Sequence, residues 1–276
     1  MSAHTSPIQG PKRVRVHHLA EAKARGEKLA MLTAYDAVTA AIFDAAGMDI
    51  LLVGDSIGNV MHGHATTIPV TVDDMIPAAR AVARATKRAF VVIDLPFGSY
   101  EAGPQQALET AVRIFKETGA DAVKLEGGLR SVPQIRALTS AGIPVVAHLG
   151  YTPQSENLLG GPRVQGRGEA AVESLAGDAK AVEDAGAVAV VLEMVPTDVA
   201  ARITEAARIP TIGIGAGPHC DGQVLVWTDM AGMTGWSPRF ARRYAELGAA
   251  LQQAAQDYVA EVKDSSFPDE EHSFDR

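Results

Sequence analysis

Short runs of residues that are apolar at every position recur along the chain, and they narrow the fold more than any other feature. Leu51-Leu-Val53, Phe90-Val-Val-Ile93 and Val188-Ala-Val-Val-Leu192 show no alternation. A strand with one face in water alternates apolar and polar residues. A run that is apolar throughout is buried on both faces, as in a parallel sheet covered by helices. Strand-like segments are read at 28–33, 50–53, 89–94, 122–126, 143–148, 188–193, 210–214 and 223–227. Helical segments are read at 14–25, 36–46, 72–86, 103–118, 132–141, 169–185, 199–207 and 239–262. Pro104 near the start and Gly119 just past the end of 103–118 fit the usual helix asymmetry. Eight βα units in about 250 residues is the size of a (β/α)8 barrel. Strands seven and eight are separated by a loop alone, which breaks the alternation. A doubly wound open sheet is the alternative, but the first βα turn, Thr33-Ala-Tyr-Asp36, carries no G-x-G-x-x-G. No internal repeat or linker divides the chain. The expectation is one α/β barrel domain over 1–276, with a loose arm at about 1–12 and a charged tail at about 263–276.

Three of the apolar runs end in carboxylates: Asp55, Asp94 and Glu126. Lys124 stands two residues before Glu126, so alternation points both to the same side of their strand. An inward lysine and glutamate on an apolar strand are costly to bury without a use. Barrel active sites form at the C-terminal ends of the strands. Asp55, Ser56, Asp94, Lys124, Glu126, His148 and Glu193 all fall there. For any one of them, a helix cap or loop carboxylate is an adequate reading; for the set it is not.

Three carboxylates without an evident cysteine or histidine partner suit a hard divalent cation, Mg²⁺ rather than zinc. Such an ion polarises a carbonyl, and a 2-oxo acid would chelate it through its carboxylate and keto oxygens. Lys124 would stabilise negative charge on the substrate or its enolate. Glu193 ends a strongly apolar strand, where desolvation favours a general base; its alternative is a buried carboxylate paired with arginine or metal. His148 either hydrogen-bonds substrate or is a satisfied core histidine. His17-His18 and His62/His64 receive no ligand role. Gly213-Ile-Gly-Ala-Gly217 offers a cradle for an anion but lacks a P-loop ending. The glycine-rich loop 159–168, with two cations, reads as a mobile lid or a plain long connection. Cys220 reads as a thiol in a polar loop and not as a nucleophile.

Composition excludes some classes. With 25 basic and 33 acidic residues the formal net charge is -8, against a general nucleic-acid binder. One cysteine allows no internal disulfide, which fits a reducing cytoplasm. No run approaches the roughly 18–20 apolar residues of a membrane span, and residues 1–11 hold no apolar signal core.

Seven ordered motifs carry a closer likeness. They are Leu52-Val-Gly-Asp-Ser56, Asp94-Leu-Pro-Phe-Gly-Ser-Tyr100, Val123-Lys-Leu-Glu-Gly127, His148-Leu-Gly-Tyr-Thr-Pro-Gln154, Val164-Gln-Gly166, Leu192-Glu-Met-Val-Pro196, and Ile212-Gly-Ile-Gly-Ala-Gly217 with Cys220-Asp-Gly-Gln-Val-Leu225. From about residue 13 to Glu271-His-Ser-Phe274, the sequence resembles the 3-methyl-2-oxobutanoate (ketopantoate) hydroxymethyltransferase family. The resemblance implies a (β/α)8 TIM barrel of the phosphoenolpyruvate/pyruvate type. It implies transfer of a one-carbon unit from 5,10-methylenetetrahydrofolate to 3-methyl-2-oxobutanoate, giving 2-dehydropantoate on the way to pantothenate. Carried over, Asp55 and Asp94 bind Mg²⁺ and substrate, Ser56 and Lys124 bind substrate, Glu126 binds Mg²⁺, and Glu193 accepts the proton. The family's large homo-oligomers, commonly decamers, are implied by the resemblance alone, and a cytoplasmic location is expected from the cysteine count and the lack of an apolar signal core or span. Two other readings compete: a Mg²⁺-dependent lyase or mutase on the same barrel without folate, and a catalytically silent metabolite-binding barrel.

Overall fold

The structure, a computed structural model, describes residues 12–274. Residues 1–11 and 275–276, which hold most of the expected arm and the end of the expected tail, lie outside the described residues. The chain divides into two compact units, one reaching to Leu225 and one beginning at Val226.

The first unit opens with α1 (Val16–Arg25), β1 (Leu29–Thr33), α2 (Ala37–Ala45), β2 (Ile50–Val53), α3 (Ile57–Val60) and α4 (Val72–Ala85). It continues through β3 (Phe90–Asp94), α5 (Pro104–Thr118), β4 (Ala122–Glu126), α6 (Val132–Ser140), β5 (Val145–Gly150) and α7 (Glu156–Leu159). It ends with α8 (Glu169–Asp184), β6 (Ala189–Glu193), α9 (Thr197–Ala206), β7 (Thr211–Ile214) and β8 (Gly222–Leu225). The eight strands form a closed barrel in sequence order. All pairs are parallel, and β8 closes on β1 with Ala30 opposite Gln223. The open-sheet alternative is therefore excluded. The β7–β8 joint that lacks a helix still pairs, Ile212 opposite Gly222. Glycine is needed there: a Cβ on Gly222 would lie 2.5 Å from the Leu29 carbonyl oxygen. β8 is shorter than expected, ending at Leu225, because Trp227 starts a helical turn. The long loops after β2 and β5 also contain short helical turns, α3 and α7.

Local chemistry accounts for the helix starts. The Asp36 carboxylate accepts the N–H groups of Val38 and Thr39 at the start of α2. Thr71 and Asp74 form a reciprocal capping box at α4. Every residue of β2 and β3 is buried, as runs that are apolar along their length demand, and so is every residue of β4, Lys124 and Glu126 included.

The second unit holds α10 (Trp227–Met230) and α11 (Leu247–Asp264). The last helix begins eight residues later than its apolar pattern suggests. The N–H groups of Tyr244, Leu247 and Gly248 are instead given to the carbonyls of Met230, Ala231 and Gly232. No residue of α11 is buried, and Leu251, Tyr258, Val259 and Val262 are exposed. No helix of the described residues is long and apolar enough to cross a membrane.

Candidate active site

The strand register assembles the site. Asp94 stands opposite Lys124, Glu126 opposite His148, and Gly150 opposite Glu193. Four neighbouring strands, β3 to β6, thus bring a lysine, a histidine and three carboxylates to the C-terminal end of the barrel, and Asp55 arrives from the turn after β2. Asp55, Asp94, Lys124, Glu126 and His148 are each at most 4% exposed. Glu193 is the more open member, with 15% of its side chain accessible.

The contacts are dense. Lys124 Nζ lies 2.7 Å from Asp94 Oδ1. The other oxygen of Asp94 accepts the Asp55 N–H at 2.9 Å. His148 places Nδ1 3.2 Å from Glu126 Oε1 and Nε2 3.3 Å from Glu193 Oε2. Ser56 Oγ is 2.8 Å from the Tyr35 hydroxyl. Met194, directly after Glu193, takes φ 49, a left-handed conformation uncommon for a residue with a side chain. Such strain concentrates at functional sites.

Burial, then the neighbouring Asp94 and Glu126 carboxylates, push the Asp55 carboxyl up to about 8. Burial alone would lower Lys124, but Asp94, Glu126 and Asp55 outweigh it and hold the ammonium above its ordinary range. His148 is raised to about 9: burial and Lys124 act to lower it, and Glu126 and Glu193 prevail. The cluster is therefore short of positive charge, since one carboxyl is driven to keep its proton near neutral pH.

That shortage is the structural test for a cation. The donors facing inward are carboxylate oxygens, and the three carboxylates Asp55, Asp94 and Glu126 meet only one ammonium, Lys124, and one imidazole, His148. Among the described residues, no three His, Cys, Asp or Glu side chains form a ready-made metal-holding group. Mg²⁺ does not need one, because it is commonly held by one or two carboxylates, with waters and substrate oxygens completing the octahedron. The residues present fit a hard divalent cation on those terms.

All the residues expected from the sequence converge here. The expectation that the carboxylates lack a histidine partner is corrected, because His148 stands between Glu126 and Glu193. It is neither a plain core histidine nor an isolated substrate contact. Cys220 fits the expectation that it is no nucleophile: its side chain is buried, with 0% exposure, and burial pushes the thiol up. The Gly213–Gly217 run is used for close packing, since a Cβ on Gly217 would meet the Thr197 side chain at 2.5 Å.

Two residues had no role in the sequence reading. Gln154 Nε2 donates to Asp55 Oδ2 and to the Leu95 carbonyl, each at 2.9 Å. The Gln154 backbone N–H donates to Glu126 Oε2 at 3.0 Å. The Tyr100 hydroxyl donates to Gln154 Oε1 at 2.6 Å and accepts the Glu126 N–H at 3.1 Å. Gln154 lies in a single 3-10 turn, Pro153–Ser155, too short for periodicity to report which way a side chain faces, and its partner Asp55 is 99 residues away. No sequence signal marks that pairing.

Comparison with known proteins agrees with this geometry. Residues 13–270 match the family model described as ketopantoate hydroxymethyltransferase. The chain belongs to the ketopantoate hydroxymethyltransferase family. It is accordingly a hydroxymethyltransferase. It is 63% identical over 265 residues to a 3-methyl-2-oxobutanoate hydroxymethyltransferase of Leifsonia xyli subsp. xyli, covering 96% of this chain and 95% of that one. It is 58% identical over 279 residues to the Thermobifida fusca enzyme of the same name, covering 99% and 100%. Among solved structures, 2,3-dimethylmalate lyase, a PEP mutase/isocitrate lyase superfamily member, superposes with a TM-score of 0.61 at 19% identity over 94% of this chain and 92% of that one. That likeness agrees with the closed barrel of eight parallel strands seen here.

Proposed function

We propose that the chain transfers a one-carbon unit from 5,10-methylenetetrahydrofolate to 3-methyl-2-oxobutanoate, giving 2-dehydropantoate and tetrahydrofolate, as the first committed step toward pantothenate. Its family membership supports the reaction. The observation that carries the assignment of roles is the partly open Glu193 carboxylate 3.3 Å from His148, on the rim of a buried carboxylate–lysine cluster.

Asp55, Asp94 and Glu126 would hold Mg²⁺, which when bound supplies a Lewis acid for the 2-oxo acid's carboxylate and keto oxygens. Asp55, Ser56, Asp94 and Lys124 bind and orient the substrate. Glu193 takes the proton from C3. Lys124, fixed beside Asp94, stabilises the negative charge that develops on the keto oxygen. The C3 carbanion equivalent attacks the methylene carbon; that carbon gains one C–C bond and, from water, one C–O bond, while both of its bonds to the folate nitrogens N5 and N10 break, and those nitrogens take up the proton removed from C3 and the one released by water. His148, between Glu126 and Glu193, orients the base.

The assay combines 3-methyl-2-oxobutanoate, methylenetetrahydrofolate and Mg²⁺, with and without chelator. Turnover that needs all three supports the reaction. Turnover indifferent to methylenetetrahydrofolate would indicate a lyase or mutase instead. Glu193→Gln is expected to abolish exchange of the C3 proton while the 2-oxo acid still binds. Exchange at the wild-type rate would remove Glu193 from the role of base.

The proposal extends to a cytoplasmic enzyme that assembles as a homo-oligomer, a decamer. Supporting it, α11 exposes Leu251 at 61% and Tyr258 at 57%, large apolar surfaces for a partner copy to cover. Sedimentation of the purified chain tests the size.

A further inference from the structure

Ser56 stands at the start of α3, where a serine usually spends its hydroxyl on capping the helix. Here it makes no such bond. Its Oγ lies instead 2.8 Å from the hydroxyl of Tyr35. Gly54 makes room for the pair: a Cβ there would lie 2.8 Å from Ser56 Oγ and 3.4 Å from Asp94 Oδ2. Ser56 Oγ and the Asp94 carboxylate thus flank the same bare stretch of backbone. Ser56 is half-buried, between the buried Asp55 and Ile57, so it is the open member of its turn.

Tyr35 reaches Ser56 from the turn after β1. The Ala34 N–H donates to the Leu52 carbonyl at 2.9 Å, which carries the β1–β2 pairing past the end of the strand and holds that turn against β2. On the far side of Tyr35, the Asp36 carboxylate caps α2. The tyrosine is 3% exposed, and a phenol so deep needs a partner for its O–H. Thr33, 2% exposed, is a second hydrogen-bonding neighbour of the hydroxyl. Burial pushes the phenol above its ordinary range, and Asp55 and Asp94 act the same way; the bonds to Ser56 and Thr33 offset this only in part. Tyr35 therefore keeps its proton at neutral pH and takes part in no proton transfer. What it can control is where that proton points.

We propose that Tyr35 is a positioning residue for the 2-oxo acid: its O–H donates to Ser56 Oγ and so turns the Ser56 proton toward the substrate. The inference rests on the reading of Ser56 as a substrate ligand. Each of the two hydroxyls has one proton and two accepting lone pairs. A phenol is more acidic than an alcohol, so it is the better donor of the two. Once Ser56 Oγ accepts from Tyr35, its own proton has no place on that bond and is given to a carboxylate or keto oxygen of the bound substrate. Accepting one hydrogen bond also polarises the hydroxyl that donates the next. Without the Tyr35 hydroxyl the Ser56 proton rotates freely, and the Asp94 carboxylate competes for it.

A double-mutant cycle tests the role. Tyr35→Phe keeps the ring and removes only the hydroxyl. Its KM for 3-methyl-2-oxobutanoate should rise about three- to tenfold, the worth of one hydrogen bond, with kcat nearly unchanged. Its KM for methylenetetrahydrofolate should stay at the wild-type value, which a general loosening of the fold would not allow. In the Ser56→Ala background, Tyr35→Phe should have no further effect on KM. 3-Fluorotyrosine at position 35 keeps the hydroxyl and nearly the shape, and it serves should Tyr35→Phe fail to fold. Its effect on KM should likewise be present with Ser56 and absent in Ser56→Ala. A wild-type KM for the 2-oxo acid in folded Tyr35→Phe overturns the positioning role. So does an effect of either change at Tyr35 that persists in full in Ser56→Ala, because Tyr35 would then act by another route. A Ser56→Ala protein with wild-type KM instead removes Ser56 from the substrate ligands, and the proposal falls with that reading.

Discussion

Replacing Gln154 by leucine removes the side chain that braces Asp55 while keeping its bulk. Three hydrogen bonds are lost: Nε2 to Asp55 Oδ2 and to the Leu95 carbonyl, both 2.9 Å, and Tyr100 OH to Oε1 at 2.6 Å. A bond to a carboxylate contributes about 1.5–3 kcal/mol. Gln154 also acts to lower Asp55, against burial and the Asp94 and Glu126 charges that push it up to about 8. Without Gln154, Asp55 holds its proton more tightly, and a cation must displace it. Both effects weaken cation binding. Loss of a side chain that orients a metal ligand typically costs about 10–100-fold in affinity. The expected result is a Kd for Mn²⁺, read from the free-ion EPR signal of the protein without substrate, raised by that factor. The backbone N–H that Gln154 gives Glu126 survives, so the loss should stop short of abolition. The Leu95 carbonyl and Tyr100 hydroxyl lose partners, so the melting temperature should also fall, and the titration belongs below it. A folded Gln154→Leu protein with Mn²⁺ affinity within about twofold of wild type would refute the bracing role.

Lys124→Met leaves Asp94 buried at 2% exposure without its ion pair. It should destabilise the fold by about 3–5 kcal/mol, by denaturant titration, and eliminate turnover even where folded. Glu183→Gln tests a structural carboxylate. Burial acts to raise Glu183, but the Arg208 backbone N–H at 2.7 Å and the Arg208 guanidinium hold it below the ordinary range. A depressed carboxylate adds stability above its unfolded pKa of about 4.3, and that stability fades as pH falls through the lower folded value. Wild type should therefore exceed Glu183→Gln by about 1 kcal/mol at neutral pH, discounted for the exposed guanidinium, and the gap should close in acid. Urea midpoints at several pH values measure it.

The barrel was legible because its signal is repetitive. Phe90-Val-Val-Ile93 can only be buried on both faces, and several such runs among eight strand-like segments have few ways to close. Asp94, Lys124, Glu126 and Glu193 were legible for the same reason: a polar residue that ends an apolar strand has a known place on the barrel. Gln154 and Tyr100 were not, because a single turn or loop has no period that fixes a side chain's direction. His148 was visible at its strand end, but its place between two carboxylates depends on the stagger of β4, β5 and β6, which the sequence does not state. Cys220 stands among polar neighbours in the sequence, which say nothing of its burial. The 3.0 Å approach of its Sγ to where a Gly213 Cβ would sit shows that it packs behind β7.

The two ends of the barrel use the same residue type to opposite effect. At the N-terminal ends, each carboxylate has partners. Asp44 accepts the N–H groups of Lys87, Arg88 and Ala89. Asp49, Asp121 and Asp221 each accept a strand N–H, from Ala30, Val91 and Thr211, and each also meets a cation, from Arg88, Arg13 and Lys23. At the C-terminal ends, three carboxylates, Asp55, Asp94 and Glu126, share one lysine and one histidine. The first arrangement is satisfied by the chain itself and stabilises it. The second is left short of cations, which disfavours the free protein and favours whatever positive charge arrives. A ligand that relieves the shortage should raise the melting temperature in step with its occupancy, and Asp55→Asn, which removes one competing charge, should shrink that rise. Equal Mg²⁺-induced shifts in wild type and Asp55→Asn would mean that the charge shortage is not what the ion relieves.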